Sequence, residues 1–312
     1  MRAFALDDLG ETGSVRDLPL PEPGPGEVRV RVHAAGLNAV DAFVVSGMGR
    51  GMMEFAFPLV PGLDVSGVVD AVGSGVDLPV GSEVFGAAMK PVWGHGALAE
   101  FVVASVGTLA QKPPDVSHGA AGSVSVAGRT ALAVMDAMAP KAGQTILVVG
   151  ATGGVGSFTV PLLAQAGVTV IATGRPENAD YARALGAAEV VDYTKGDLLE
   201  QLQARFPDGI DGIADLASNE VELTKLANVV RSGGVVVSPM RAANDEILSE
   251  RGIRAVNVAA AGMERHAELA SLLASGRFGA LEVASFPLDR AAEALALQAT
   301  RHVRGKVVVT VG

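Results

Sequence analysis

Residues 146–156 constrain the fold of this chain more than any other stretch. Ile146 to Gly150 (ILVVG) is an aliphatic strand run, and it feeds directly into Ala151-Thr152-Gly153-Gly154-Val155-Gly156. Val155, Phe158, Thr159, Leu162, Leu163 and Ala166 then fall at helical spacing, with Pro161 inside the pattern, where it is expected to bend the helix. A strand, a glycine turn and a helix in succession place free N–H groups and the positive end of a helix dipole at the turn. Glycine there lets a ligand approach the backbone. The pattern is A-x-G-x-x-G, with Ala151 where the common dinucleotide fingerprint has its first glycine. In this context residues 151 to 156 read as a pyrophosphate cradle. The bland alternative is a glycine-rich turn with no ligand.

The neighbouring segments favour the cradle. Val168 to Ala172, Val190-Val191, Ile210 to Leu216, Val235 to Ser238 and Ala255 to Ala259 are strand runs separated by helical segments. With Ile146 to Gly150 they supply the strands of a full Rossmann domain, a doubly wound parallel sheet. The first third differs. Glu27 to His33 (EVRVRVH) alternates with the period of a half-buried strand, and turn clusters at Pro21 to Gly26, Gly73 to Gly75 and Gly81-Ser82 punctuate it. Short strands of this kind suggest a small barrel or sandwich. After Met263 come a helix (Glu264 to Ser275), a strand (Leu281 to Leu288), a helix (Asp289 to Thr300) and a strand (Lys306 to Val311). A chain of 312 residues has room for two such domains.

Composition removes several function classes. The net charge is −10 and no Lys/Arg run is present, which argues against a nucleic-acid partner. There is no cysteine, so disulfides, thiolate nucleophiles and Cys-ligated metals are excluded. Residues 1 to 9 lack a signal-type apolar core, and the apolar stretch from Ala120 to Met138 is broken by Gly122, Gly128, Arg129 and Asp136. The expectation is a cytoplasmic protein with no membrane partner.

Six stretches, in order, resemble the medium-chain dehydrogenase/reductase superfamily over nearly the whole chain. They are Pro21 to Asp41 (PEPGPGEVRVRVHAAGLNAVD), Val60 to Val69 (VPGLDVSGVV, with Asp64 in place of the usual Glu), Ala99 to Val103 (AEFVV), Ala127 to Leu132 (AGRTAL), the glycine loop, and Arg304 to Val308 (RGKVV). The resemblance implies a discontinuous GroES-like β-rich catalytic domain (1–118 and 266–312) with a Rossmann domain (119–265) inserted. It also implies a homodimer. The first Cys ligand of the zinc-binding branch would fall at about Asn38 and its His ligand at Leu63, so the chain is similar to the zinc-free quinone oxidoreductases.

The resemblance places Asn38, Asp41 and Thr130 near a nicotinamide, as the catalytic candidates. Asn38 is read as an active-site donor. Asp41, though a catalytic candidate by resemblance, reads first as the anchor of its turn, and the Thr130 hydroxyl is equally suited to bonding the nicotinamide carboxamide and to capping the adjacent helix. Arg129 reads as a surface cation. His33 is read as structural and His95, in Trp93-Gly94-His95-Gly96, as a possible substrate contact. The loop after Asp41 (Ser46 to Met53) carries methionines and no tyrosine, so it supplies no tyrosine proton donor. The second Rossmann strand ends Thr173-Gly174-Arg175 with no acid, so these three residues point to a ribose 2′-phosphate and hence to NADPH, although Glu177 offers Arg175 a competing partner. Tyr193 is placed by the resemblance at the adenosine end. The expected reaction is hydride transfer from NADPH to a small electrophile, a quinone or an α,β-unsaturated carbonyl. The alternatives are an enoyl or imine reductase of a biosynthetic pathway, or a nucleotide-binding protein without turnover.

Overall fold

In the computed structural model, which describes residues 1–279 and 281–312, the chain divides into two compact units. One comprises Met1–Arg129, Gly262–Gly276 and Glu282–Gly312; the other comprises Thr130–Ala261 and Arg277–Leu281. No described helix is long and apolar enough to cross a membrane.

The first unit is built on a seven-stranded sheet, with two-stranded pairs beside it. Strand Glu27–Leu37 is its centre, pairing with Asp64–Val72, Phe101–Ser105 and Lys306–Thr310. Its alternation is decisive: Val28, Val30 and Val32 are buried, while their neighbours Arg29 and Arg31 are half-buried and exposed respectively. Each buried valine contributes roughly 1.5–3 kcal/mol through its removal from water. Register shifts opposite Arg29/Val30 and Val32/Ala34 mark irregularities in this long strand. Gly67 must be glycine, because a Cβ there would meet the carbonyl oxygen of Arg31 at 2.1 Å. The last two strands, Val283–Pro287 and Lys306–Thr310, complete one edge of the sheet.

The second unit holds a six-stranded parallel sheet, ordered Glu189–Asp192, Thr169–Gly174, Thr145–Val149, Ile210–Asp215, Val230–Ser238, Arg254–Asn257. In chain order this is 3-2-1-4-5-6, the doubly wound Rossmann arrangement. Both faces are covered, and the strands show why: Ile146 and Val148 pack with Val160 and Leu163 on one face, while Leu147 and Val149 pack with Leu202 and Leu223 on the other. The fifth strand is longer than the apolar run 235–238 suggests. It starts at Val230 and shifts register before Val235. Pro161 lies inside helix Gly156–Gln165.

Candidate active site

Gly150 follows the first Rossmann strand with φ of +77°, so the left-handed turn falls there and Ala151 can replace the fingerprint's first glycine. Ala151 is fully buried and Thr152 nearly so. Gly156, the first residue of the helix, is forced by the fold: a Cβ would lie 2.4 Å from the carbonyl oxygens of both Gly150 and Ala151. Gly153 is different. Its Cβ would meet only the Gly150 oxygen, at 3.5 Å, an ordinary contact, so packing within the chain does not demand glycine there. The helix has Val155 at its N-cap position with no side-chain cap, so no N-cap side chain takes up the first N–H groups of the helix. Open space at Gly153 and an uncapped helix start fit a pyrophosphate.

The Thr173 hydroxyl accepts the Gly150 N–H at 3.2 Å and ties the turn to the second strand. A Cβ on Gly174 would meet only Val190 and Thr152 side chains, at 3.6 and 3.9 Å. Arg175 does not pair with Glu177; its Nε donates to the Tyr193 hydroxyl at 3.0 Å. Two residues assigned separately from the sequence to the adenosine end thus meet, and the other guanidinium N–H groups have no partner among the described residues. Sequence reading missed Asp215, at the end of the fourth strand, which accepts from Ser218 N–H and the Ser238 hydroxyl, each at 3.0 Å.

In the first unit Asn38 and Asp41 do not lie in a loop. Asn38 is the N-cap of helix Ala39–Val45 and Asp41 its third residue. The Asp41 carboxylate accepts the Asn38 N–H at 2.8 Å, half of a capping box, and the Gly62 N–H at 3.1 Å. Burial pushes its pKa up to about 7 against the lowering effect of these bonds. The Asn38 side-chain oxygen accepts from Lys306 Nζ at 2.5 Å, and the same ammonium donates to the Leu37 carbonyl at 2.9 Å. Asp64 lies 3.6 Å from Lys306 and accepts the Val126 N–H at 2.9 Å. Burial raises the Asp64 pKa and lowers that of Lys306, and each charge partly restores the other. Three stretches distant in sequence, around residues 38, 64 and 306, therefore share one buried polar cluster. Lys306 was not singled out from the sequence, although a lysine opening an apolar strand run (KVVVTV) is a signal of buried charge.

Thr130 is buried on helix Ser125–Met138 and belongs to the second unit. Arg129 is not a surface cation. It is buried, and its Nε donates to the Ser125 carbonyl at 3.1 Å. Among the described residues no three His, Asp or Glu side chains gather as a metal-holding group. A recess in the first unit is lined by Asp41, Val44, Leu59, Leu63 and Trp93, with His95 on its wall.

Comparison with known proteins agrees with this architecture. Residues 24–115 match the model of the alcohol dehydrogenase GroES-like domain, and residues 185–309 that of the zinc-binding dehydrogenases. The chain is 31% identical to the NADPH-dependent alkenal/one oxidoreductase, chloroplastic, of Arabidopsis thaliana, over 99% of this chain and 79% of that protein. Among solved structures, the quinone oxidoreductase from Coxiella burnetii superposes with a TM-score of 0.90 at 30% identity, covering 100% of this chain and 99% of that one. An NAD-dependent alcohol dehydrogenase also superposes at 0.90, with 29% identity and full coverage of both chains.

Proposed function

The chain belongs to the medium-chain dehydrogenase/reductase superfamily, in its quinone oxidoreductase-like branch, and from that premise we propose that it is a metal-independent, NADPH-dependent reductase of quinones or α,β-unsaturated carbonyls. At the coarser level it is an oxidoreductase using a nicotinamide cofactor. The relatives include both NADPH- and NAD-dependent enzymes, so the choice between them rests on this chain's own residues. The observation that carries NADPH is Arg175, held by Tyr193 at the end of a strand that offers no acid.

Residues 151 to 156 would hold the pyrophosphate, with Thr173, Gly174 and Arg175 beside the ribose 2′-phosphate. The reduced nicotinamide supplies a hydride; a proton from solvent completes the reduction of the acceptor. The protein's part is orientation and exclusion of water. Metal independence is supported by the donor set: Leu63 and Asn38 stand where zinc-binding members carry His and Cys, and the chain has no cysteine. With only hydrogen-bond donors to polarise an oxygen, a conjugated acceptor is an easier target than an isolated carbonyl.

The test is NADPH oxidation by the purified protein with 1,4-naphthoquinone and with 2-cyclohexenone, before and after chelator treatment. Turnover that survives the chelator is expected. Stoichiometric zinc with chelator-sensitive turnover would overturn metal independence, and no turnover with either acceptor would overturn the reaction class.

A further inference from the structure

We propose that His95 binds the acceptor's oxygen, donating its imidazole N–H to it from the wall of the recess in the first unit. The proposal rests on the reductase reading above and names the polar anchor of the acceptor site.

Strand Trp93–His95 and the following Gly96 are pinned on both sides of the imidazole. Gly94 has φ of +128°, and a Cβ there would lie 2.2 Å from the Ala56 carbonyl oxygen. At Gly96 a Cβ would lie 2.3 Å from the Pro61 oxygen, and its N–H donates to Val60 at 2.8 Å. The glycines let the segment press against its neighbours, and the side chain between them is presented by a fixed backbone. His95 itself is exposed.

The recess is otherwise apolar, with Val44, Leu59, Val60, Leu63, Val92 and Trp93 on its lining. Three polar side chains join them. Asp41 accepts from two backbone amides, and Lys90 is held against Glu27 at 3.0 Å. His95 has no hydrogen-bond partner among the described residues, so it is the neutral polar side chain of the lining with its donor free for a ligand. Partial desolvation by the recess wall, then the Lys90 ammonium, lowers its pKa, which favours the neutral ring with one N–H donor at neutral pH. The recess offers about 20 Å³, roughly the space of one oxygen atom, so it admits the oxygen-bearing edge of a quinone or cyclic enone and not the whole ring. As negative charge builds on that oxygen during reduction, the bond strengthens, so the contact lowers the barrier as well as orienting the acceptor.

The experiment compares the parent, His95→Phe and His95→Gln. With 2-cyclohexenone and NADPH, His95→Phe should lose roughly ten- to a hundred-fold in kcat/KM. His95→Gln, which keeps an N–H donor, should recover part of that loss, and NADPH affinity by titration should be unchanged in both. Independently of turnover, saturated cyclohexanone added to the parent should shift the His95 ring resonances in a 15N-edited spectrum. A parent without turnover overturns the reductase reading but leaves this spectrum to decide the site. Unmoved ring resonances, or a Phe variant as active as the parent, overturn the role of His95.

Discussion

Lys306 Nζ sits 2.5 Å from the side-chain oxygen of Asn38, a residue 268 positions away in the chain. An ammonium can only donate, so the contact fixes which way the Asn38 amide is turned: oxygen toward Lys306. Asp64 supplies the compensating charge at 3.6 Å. All three side chains are buried.

Breaking this cluster should be costly. Lys306→Met leaves the Asp64 carboxylate buried without its cation and is expected to destabilise the fold by about 3–5 kcal/mol. The double variant Asp64→Asn/Lys306→Met should regain part of that loss, since no uncompensated charge remains. Urea unfolding of the single and double variants is the measurement. Equal stability of Lys306→Met and the parent would mean that the pair carries no charge in the fold. Asn38→Ala should lower both activity and stability, because it removes the amide and an acceptor of the Lys306 ammonium together.

Asp41 gives a pH prediction. Burial raises its pKa to about 7 in the fold, against 3.8 for an unperturbed group. A raised carboxyl pKa favours the protonated folded form, so its stabilising contribution is complete below pH 3.8 and is lost as pH rises through about 7. The span corresponds to roughly 4 kcal/mol. Asp41→Asn should therefore flatten the decline in unfolding free energy between pH 4 and pH 7 relative to the parent. It should also cost about 1–3 kcal/mol at low pH, because its NH2 group replaces an acceptor of a buried N–H. A parent-minus-variant difference that does not change across this range would place the Asp41 pKa near its ordinary value.

On the proposed reading, cofactor choice turns on Arg175. Arg175→Ala should lower kcat/KM for NADPH roughly ten- to a hundred-fold and leave NADH use nearly unchanged, as expected for loss of a charge-assisted bond to a phosphate. Tyr193→Phe should shift the preference in the same direction by less, because it removes only the acceptor that holds Arg175 Nε. Steady-state kinetics with both cofactors decides it. Equal use of NADH and NADPH by the parent would remove Arg175 from the site.

Residues that act through local pattern were legible in the sequence. The glycine loop, the six parallel strands and the alternating strand Glu27–Leu37 follow from periodicity and turn chemistry. The assignment of Asn38 and Asp41 to a loop missed a helix of seven residues, too short to show a periodic face, although Asn followed three positions later by Asp is itself a capping signature. Long-range pairings left no such trace. Nothing local announces that Lys306 meets Asn38, or that the buried Ser125 hydroxyl lies 2.7 Å from His266 Nε2, 141 residues away. Arg129 was misjudged because a cation beside a helix start is usually solvated, whereas here a buried carbonyl takes its Nε.

The two glycines of the cradle should fail in different ways, and the difference separates ligand demand from packing demand. At Gly156 the fold itself forbids a side chain, since even a methyl group would press on two carbonyl oxygens at 2.4 Å. Gly156→Ala must shift the turn against the helix and should lower the thermal midpoint of the cofactor-free protein. At Gly153 a Cβ is tolerated by the chain, its one neighbour being the Gly150 oxygen at 3.5 Å. Gly153→Val should then fold with a midpoint close to the parent's and yet bind NADPH far more weakly, because a branched side chain occupies the space a pyrophosphate needs. Thermal unfolding without cofactor and calorimetric titration with NADPH give the two readouts for each variant. Full NADPH affinity in Gly153→Val would show that the pyrophosphate lies elsewhere. An unaltered midpoint in Gly156→Ala would show that the turn can move aside at little cost.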